Sequence, residues 1–420
     1  MKTKHLFPIL IVVLAALTLA VVSAMAQDLP AGKQSPAAIE QGESASPAAE
    51  YTESEPNNTP GTADWLPAGH TISGVVNPVG DDDYFELSGL SNEYYVVDID
   101  AARNGSTLDA VVCLIGVRHS TGEEYVSCND DSDGLDSMLV ELVWPESDMS
   151  WYVSVKDLDD DGDPAFTYTL MVYQPLLVSA TVNGNVAGLP FQKSDVLAHY
   201  DFPDGTEKWM LFFDASDLFL TQNLTGFLFE SGYAEMTFAA NQPLPGAGVT
   251  ATPWDMVSLN DATFGPRTSG TLGIDFPGRA NGLTTVGEKI DALSSGASGY
   301  WGISTVGVAA VPLGGGATLK AQDEDIMTMI WESGFDWDST LYFDGSLVPG
   351  LAVEDVTAAS TGGRYAYLVI QGSGRVDGLV LNQKDIFIVD RDFNRALGYY
   401  WRAGQHHFPY NLDAIHLMGE

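Results

Sequence analysis

Oxygen-bearing side chains that suit a hard cation occur in two short acidic segments early in the chain. Glu53, Glu55 and Asn57 alternate along the first segment, and alternating residues on an extended backbone point to the same side. The second segment carries three consecutive aspartates at 81–83. Carboxylate and amide oxygens are the ligands that Ca²⁺ prefers, so both segments are candidates for metal binding.

The signatures of common enzyme classes are missing. The sequence has no His-Glu-x-x-His, Gly-x-Ser-x-Gly, Gly-x-x-x-x-Gly-Lys or Cys-x-x-Cys. Adjacent His406 and His407 offer metal ligands, but neighbouring residues of an extended segment point to opposite sides, which favours a solvated loop. Carboxylates are so numerous that a pair at glycosidase spacing arises by chance.

The charge of the chain limits the classes of binding partner that we expect. The 420 residues include 18 Lys and Arg against 57 Asp and Glu, which gives a formal charge of -39. Binding to nucleic acid or to anionic lipid needs basic residues that displace counterions, so we expect neither partner. The length predicts two or three domains, and the acidic excess favours solubility and binding of calcium.

The first residues are typical of a secretory signal peptide. Lys2 and Lys4 precede an apolar run at 6–22, and Ala24-Met25-Ala26 supplies a small-x-small cleavage signal. An uncleaved membrane anchor is the alternative interpretation. We therefore predict a signal peptide at 1–26, a secreted, extracellular chain that does not insert into membranes after cleavage, and a disordered linker at 27–50, which is rich in Ala, Pro, Ser and Glu.

Residues 51–174 show short alternating strands separated by Gly, Asn and Asp turns, which predicts an antiparallel β-sandwich. The predicted strands span 84–87, 94–99, 110–117, 124–128, 138–143, 151–155 and 167–172. Cys113 and Cys128 lie symmetrically about the turn at 119–122. Opposite positions in a hairpin are close enough for a bridge, so we predict a disulfide between them.

The motifs of this region resemble the bacterial pre-peptidase C-terminal (PPC) domain. They are Glu53-Ser54-Glu55-Pro56-Asn57-Asn58-Thr59, Gly80-Asp81-Asp82-Asp83-Tyr84-Phe85, Leu108-Asp109, Asn129-Asp130-Asp131, Leu135-Asp136-Ser137 and Tyr168-Thr169-Leu170. The resemblance implies a jelly-roll-like sandwich of the kind appended to secreted hydrolases and related to collagen-binding modules. It also implies that the segment at 53–57 folds beside the loop at 81–83.

That placement would gather a calcium site. Its candidate ligands are Glu53, Glu55, Asn57, Asp81 and Asp83. The matching loop of the collagen-binding relatives has an acidic residue where this chain has Gly80, a departure that Asp81 and Asp82 would have to offset. A solvated acidic turn is the alternative interpretation.

Residues 175–420 contain an internal repeat. An Asp followed by apolar residues recurs at Asp195, Asp255, Asp325 and Asp385, and each is followed by an aromatic or aliphatic strand and then by a third short element. A further strand begins about ten residues later, at 233, 300 and 365. Most Trp residues recur at strand positions, which favours packing between repeats, and Trp337 alone is predicted to be exposed.

The ends of the repeat region predict its closure. The fourth copy stops at the C-terminus, and the strand that it lacks occurs at 177–182. We therefore predict that residues 411–418 complete the unit formed by 176–214 and close a four-bladed β-propeller. These residues resemble propeller-type repeats of secreted bacterial proteins, and an open row of small sheets is the alternative.

The third repeat element suggests a second cation site. Its small residues suit a crowded innermost strand, and its polar position reads Thr225, Asp291, Thr357 and Asp413. If the polar side chains face the axis, Asp291 and Asp413 lie across the channel from each other. We predict a cation there, with the alternative that both aspartates cap turns or face water.

Together these features predict an all-β secreted protein without a catalytic centre. It would bind an extracellular polysaccharide or protein, with a calcium-stabilised accessory sandwich. The alternative is a secreted hydrolase, similar to a glycosidase or a peptidase, with a carboxylate site in the propeller.

Overall fold

The structure is a computed structural model that describes residues 49–130, 134–230, 232–295, 300–330 and 335–418. The predicted signal peptide and nearly all of the predicted linker lie outside the described residues. The described chain consists of strands joined by turns and short 3-10 helices, which confirms the all-β prediction. In these ranges, each helix is too short or too polar to cross a membrane.

The N-terminal strands form a two-layered arrangement. They are Tyr51–Thr52 (β1), Asp64–Pro67 (β2), Thr71–Val75 (β3), Asp82–Ser88 (β4), Glu93–Asp100 (β5), Ala110–Arg118 (β6), Glu123–Asn129 (β7), Met138–Val143 (β8), Met149–Asp157 (β9) and Thr167–Tyr173 (β10). Two five-stranded sheets run in the order β1-β3-β10-β5-β8 and β2-β4-β9-β6-β7. Alternate side chains of both sheets meet in one core, which includes Phe85, Val97, Trp151 and Leu170.

This region confirms the seven predicted strands and the predicted disulfide. Cys113 on β6 lies opposite Cys128 on β7, and the two are bonded, with their Cα atoms 4.1 Å apart. Strands β1, β2 and β3 were not predicted, because they are short and lie among turn-forming residues.

The later strands are Leu176–Ala180 (β11), Gly184–Val186 (β12), Leu189–Phe191 (β13), Val196–Asp201 (β14), Glu207–Phe213 (β15), Leu224–Glu230 (β16), Tyr233–Phe238 (β17), Gln242–Leu244 (β18), Val249–Ala251 (β19), Met256–Thr263 (β20), Ser269–Phe276 (β21) and Ile290–Ser295 (β22). They continue with Tyr300–Thr305 (β23), Ala309–Pro312 (β24), Thr318–Ala321 (β25), Ile326–Ile330 (β26), Asp336–Phe343 (β27), Val356–Gly362 (β28), Tyr365–Ile370 (β29), Ser373–Val376 (β30), Leu379–Asn382 (β31), Asp385–Asp390 (β32), Arg395–Arg402 (β33) and Leu412–Leu417 (β34).

These strands form four four-stranded antiparallel sheets with a common plan. Three are continuous in sequence, namely β16-β17-β20-β21, β22-β23-β26-β27 and β28-β29-β32-β33, and the fourth is β34-β11-β14-β15. A two-stranded hairpin follows the second strand of each sheet. The C-terminal strand β34 pairs with β11, and Leu417 lies opposite Leu176. This confirms the prediction that residues 411–418 complete the unit formed by 176–214.

The first strands of the four sheets contact each other. The Oγ1 atom of Thr225 on β16 donates to the carbonyl of Ile290 on β22 at 3.1 Å, and the Oγ of Ser295 on β22 donates to the carbonyl of Thr361 on β28 at 3.2 Å. The backbone N–H of Leu417 on β34 donates to Ser360 on β28 at 3.2 Å, and Asn223, beside β16, donates to Asp413 on β34.

The aspartate that marks each repeat has a structural role. Asp195 Oδ2 accepts from the N–H of Gln192 at 2.7 Å, and its Oδ1 accepts from the N–H of Ala215 at 3.1 Å. Asp255 and Asp325 make the matching pairs of bonds. Each of these buried aspartates ties the end of the hairpin to the 3-10 helix that leads to the next sheet, which satisfies N–H groups that strands cannot pair.

Short 3-10 helices complete the described elements. They lie at Ala102–Asn104, Ala215–Leu218, Gly278–Asn281, Val286–Glu288, Gly314–Gly316, Gly345–Leu347, Leu351–Val353 and Ala403–Gln405. Most of them occur in the connections between successive sheets.

The sandwich and the repeat region belong to one compact unit. Val96, Met138 and Met171 of the sandwich share a core with Met210 and Phe229 of the repeat region. A buried ion network crosses the same boundary.

In this network, Lys208 on β15 donates to Asp98 and, at 3.1 Å, to Asp100 on β5. Arg103 also binds Asp100, and Asp136 lies 3.5 Å from the Arg103 guanidinium. Burial alone would raise the pKa of Asp100, but the Lys208 and Arg103 charges together hold it below its usual value. The network therefore fixes β15 against the sandwich with paired charges.

Candidate functional site

The predicted calcium ligands converge in part. One carboxylate oxygen of each of Glu53, Glu55 and Asp83 lies within 4.8 Å of the other two. The segment after β1 reaches β4 because the backbone N–H of Tyr84 donates to the carbonyl of Asn57 at 3.0 Å. The predicted placement of the segment at 53–57 beside the loop at 81–83 is therefore what brings these three carboxylates together.

Asn57 faces the same carboxylates and is fully buried. The nearer terminal atom of its amide lies 3.3 Å from Glu55 Oε2 and 3.1 Å from Asp83 Oδ1. If that atom is the nitrogen, it donates to both carboxylates. If it is the oxygen, acceptor oxygens face each other, an arrangement that a cation stabilises.

Hydrogen bonds and burial hold the site together. The Tyr168 hydroxyl donates to Asp83 Oδ2 at 2.7 Å and to Glu53 Oε2 at 3.1 Å, and the N–H of Val75 donates to Glu53 Oε1 at 2.5 Å. Burial, opposed by the Tyr168 bond, raises the pKa of Asp83 to about 9. Burial also raises the pKa of Glu53 and of Glu55, so this cluster binds protons readily when no cation is bound.

The fifth predicted ligand, Asp81, lies at the side of this cluster. Its Oδ1 accepts from the Asn58 amide, and its Oδ2 accepts from the N–H of Asn77 at 2.8 Å. The carboxylate oxygens of Glu53, Glu55 and Asp83 fit a hard cation. Both Asp81 oxygens instead accept hydrogen bonds from the neighbouring turn.

The polar positions of the first repeat strands are buried. Thr225, Asp291, Thr357 and Asp413 each expose 8% or less of their surface. A Cβ atom on Gly226 would lie 2.6 Å from Leu293 Cβ on the neighbouring sheet, which confirms that this part of the strand is crowded. Burial raises the pKa of Asp413 to about 7, although the hydrogen bond from Asn223 acts in the opposite direction.

Asp291 has a nearer acidic partner than Asp413. The pKa of Asp291 is raised well above the usual range, mainly by burial and next by the neighbouring Asp355 carboxyl. Asp413 has a smaller effect in the same direction. Burial raises the pKa of Asp355 to about 7. Two close carboxyls share a proton because both cannot ionise cheaply. The predicted cation at Asp291 and Asp413 stays a prediction, and Asp355 was not anticipated because it precedes the repeated element.

Exposed apolar side chains gather at one end of the sheets. We define the hairpin end as the end of each four-stranded sheet that carries the inserted hairpin and the connection to the next sheet. In an antiparallel meander these two connections leave the same end. Most of the exposed large apolar residues described after residue 175 lie there, at Val182, Phe219, Val249, Val286, Val306, Val308, Leu347, Val353 and Val380.

Phe219 is the largest of these side chains. It is 72% exposed and has a φ of 58°, a left-handed conformation that is unusual for a bulky residue. Backbone strain of this kind concentrates at functional positions, which makes the hairpin end a candidate binding surface.

The structure changes the interpretation of one tryptophan. Trp337 was predicted to be exposed, but only 7% of its surface is accessible, and its Nε1 donates to the carbonyl of Asn281 at 2.8 Å. Its ring packs edge-on against Phe276 at the end of β21, with ring centroids 5.9 Å apart. Trp209, Trp254 and Trp401 are buried as well, which confirms the packing interpretation for them.

A second group of metal-type ligands was missed. His199, Asp201, Glu207 and His406 offer ligand atoms that lie within 4.8 Å of one another. The expectation of a solvated loop is therefore wrong for His406. The signal in the sequence was the spacing His199-x-Asp201 just before a turn and Glu207 just after it, which places all three on one side of a hairpin.

Comparison with known protein families finds none that matches this chain, and comparison with curated proteins finds no relative. Solved structures offer partial likenesses. The PPC domain of a collagenase from Bacillus anthracis is 19% identical, with a TM-score of 0.21, and the match covers 28% of this chain and 99% of that one.

Two further structures are similar at low identity. A protein of unknown function from Bacteroides caccae is 7% identical, with a TM-score of 0.27, over 59% of this chain and 99% of that one. PorZ, a surface component of the type-IX secretion system of Porphyromonas gingivalis, is 8% identical, with a TM-score of 0.23, over 51% of this chain and 32% of that one. TM-scores at this level carry no conclusion about function.

Proposed function

We propose that this chain is an exported, non-catalytic binding protein whose hairpin ends bind an extracellular protein. In this proposal the repeat region is a four-bladed β-propeller, and calcium stabilises the sandwich. The observation that carries the proposal is the concentration of exposed apolar side chains at the hairpin ends. Export is supported by the signal-peptide pattern and by the disulfide, which suits an oxidising compartment.

The propeller is supported by the contacts between first strands. Hydrogen bonds join β16 to β22, β22 to β28, β28 to β34, and β34 to Asn223, the residue just before β16. A cycle of this kind is the pattern that four sheets around one axis would give. In such an arrangement the hairpin ends share one face, so their apolar side chains form a single surface.

The chemistry of that surface favours a protein over a glycan. Apart from Phe219, its exposed apolar members are Val and Leu, whereas sugar-binding surfaces use flat aromatic rings. A fixed scaffold also favours binding, because the buried network of Lys208, Asp98 and Asp100 prevents the sandwich from moving freely against the repeat region.

A matched pair of substitutions tests this surface. Phe219→Asn removes the exposed ring and keeps a residue that tolerates positive φ, and Phe393→Asn removes a ring that is 62% exposed at the opposite end of its sheet. The probe is an array of immobilised extracellular-matrix proteins and glycans. We expect at least one matrix protein to bind, and we expect Phe219→Asn to weaken binding by about tenfold or more.

Three results would contradict the proposal. They are binding to glycans alone, equal losses for the two variants, and no binding to any protein on the array.

A secreted hydrolase is the second candidate, because the Asp291–Asp355 carboxyl pair has the raised pKa values that catalytic acids share. A screen of glycan and peptide substrates tests it. Turnover that Asp291→Asn abolishes, with Asp261→Asn as an exposed control, would replace the binding proposal with the enzyme.

A further inference from the structure

Four side chains, three from one sheet and one from the connection between β33 and β34, converge on one point near the seam between the first and last repeats. His199 and Asp201 lie on β14, Glu207 begins β15, and His406 follows the 3-10 helix at Ala403–Gln405. Asp201 is directly opposite Glu207 in the hairpin. Like charges in that position repel each other, so the pair needs a positive partner.

The distances between the ligand atoms have a regular pattern. His199 Nε2 lies 3.2 Å from Glu207 Oε2 and 3.5 Å from Asp201 Oδ1. His406 Nδ1 lies 3.4 Å from the same Glu207 oxygen and 3.3 Å from the same Asp201 oxygen. Each nitrogen is therefore nearly equidistant from both oxygens.

These distances suit tetrahedral coordination of a metal. The His199–Glu207 distance is at the long end of ordinary N–H···O hydrogen bonds, and the other three distances are longer. In a tetrahedron with metal–ligand bonds of about 2.0–2.2 Å, neighbouring ligand atoms are about 3.3–3.6 Å apart. Each of the four distances agrees with that range to within about 0.1 Å.

The surroundings hold the two rings in place. Trp401 stacks on His406, with ring centroids 5.1 Å apart and an interplanar angle of 8°. Trp209 packs against His199 at 4.4 Å, and the His199 side chain is only 2% exposed.

We propose that His199, Asp201, Glu207 and His406 form a tetrahedral site for Zn²⁺. Two imidazoles and two carboxylates are ligands that zinc accepts, and four protein ligands fill its shell, as in structural rather than catalytic sites. The metal would join the β14–β15 hairpin to the connection between β33 and β34. It would therefore stabilise the place where the C-terminal strand β34 joins the sheet that contains β11, β14 and β15.

The test uses the protein without a histidine tag, stripped by a chelator and dialysed against Zn²⁺. We expect one high-affinity zinc per chain by elemental analysis. We also expect Co²⁺ in its place to give the intense visible absorption of tetrahedral coordination. At free zinc 100 times its Kd, binding linkage should favour the folded state about 100-fold and raise the melting temperature.

Adjacent histidines provide the matched control. His406→Ala should lose more than the roughly 10- to 100-fold in zinc affinity that removal of an outer-shell partner costs, while His407→Ala should bind as the parent does. Asp201→Asn is a second variant that should fold, since the Asp201 side chain is 54% exposed. Asp83→Asn, at the separate carboxylate cluster, should leave zinc binding unchanged.

The proposal fails if no stoichiometric zinc binds, if Ca²⁺ competes equally, or if Co²⁺ gives an octahedral spectrum. It also fails if His407→Ala or Asp83→Asn loses as much affinity as His406→Ala.

Discussion

Replacing Lys208 with Met should reveal how strongly the sandwich is joined to the repeat region. The Lys208 side chain is 1% exposed, and its partners Asp98 and Asp100 expose 1% and 0% of their side chains. The substitution keeps the apolar stem but leaves two buried carboxylates with Arg103 as their remaining cation. Removal of one partner from a buried ion pair costs about 3–5 kcal/mol. That loss lowers the folding equilibrium constant by about 100-fold to several thousand-fold.

Denaturant unfolding in the presence of calcium measures this loss, with Lys320→Met, at an exposed strand position, as the control. A double-mutant cycle with Asp98→Asn should recover part of the loss, because the second change removes one uncompensated charge. The reasoning is refuted if Lys208→Met lies within about 0.5 kcal/mol of Lys320→Met, the usual range for surface substitutions.

Four further predictions follow from other buried groups. Millimolar Ca²⁺ should raise the melting temperature of the parent and of Asp161→Asn but not of Asp83→Asn, and an equal effect of Mg²⁺ would argue against the site. Folded-state pKa values raised to about 9 at Asp83 and about 7 at Asp413 contribute stability below about pH 4 that is lost as pH rises through those values. Calcium-free protein should therefore unfold at lower denaturant at pH 9 than at pH 6, and a flat profile would contradict the shifts. Deleting 411–420 removes β34 and should cause aggregation in light scattering, whereas a soluble chain with an unchanged transition would count against a closed ring. Asp291→Asn combined with Asp413→Asn should abolish an ion detected by elemental analysis in the parent, and unchanged metal content would remove that site.

The strands were predictable because their pattern is local. Short, nearly continuous apolar runs at 94–99 and 110–117, bounded by turn residues, indicate strands without reference to the rest of the chain. The repeat also fixed which strands correspond, since β17, β23 and β29 begin at the aligned Tyr233, Tyr300 and Tyr365. The hairpins between second and third strands were missed, because each is only a few residues long.

The sites were less predictable because their members are distant in sequence. The resemblance to PPC domains indicated that Glu53 and Asp83 meet, and they do. The local sequence pattern did not place His406 beside His199. Their contact depends on how the connection between β33 and β34 packs against the β14–β15 hairpin. Asp355 is likewise distant from Asp291 in sequence, and the two are neighbours because β22 and β28 belong to adjacent sheets.

The pairing of β34 with β11 has a consequence for biosynthesis. A ribosome makes β34 after all the other described strands of the repeat region, so one edge of β11 has no native partner until β34 has been made. A chain that stopped prematurely would keep a free strand edge, open to other chains and to proteases. The topology therefore makes synthesis of β34 a condition for completing the sheet that contains β11, a form of quality control built into the order of the strands.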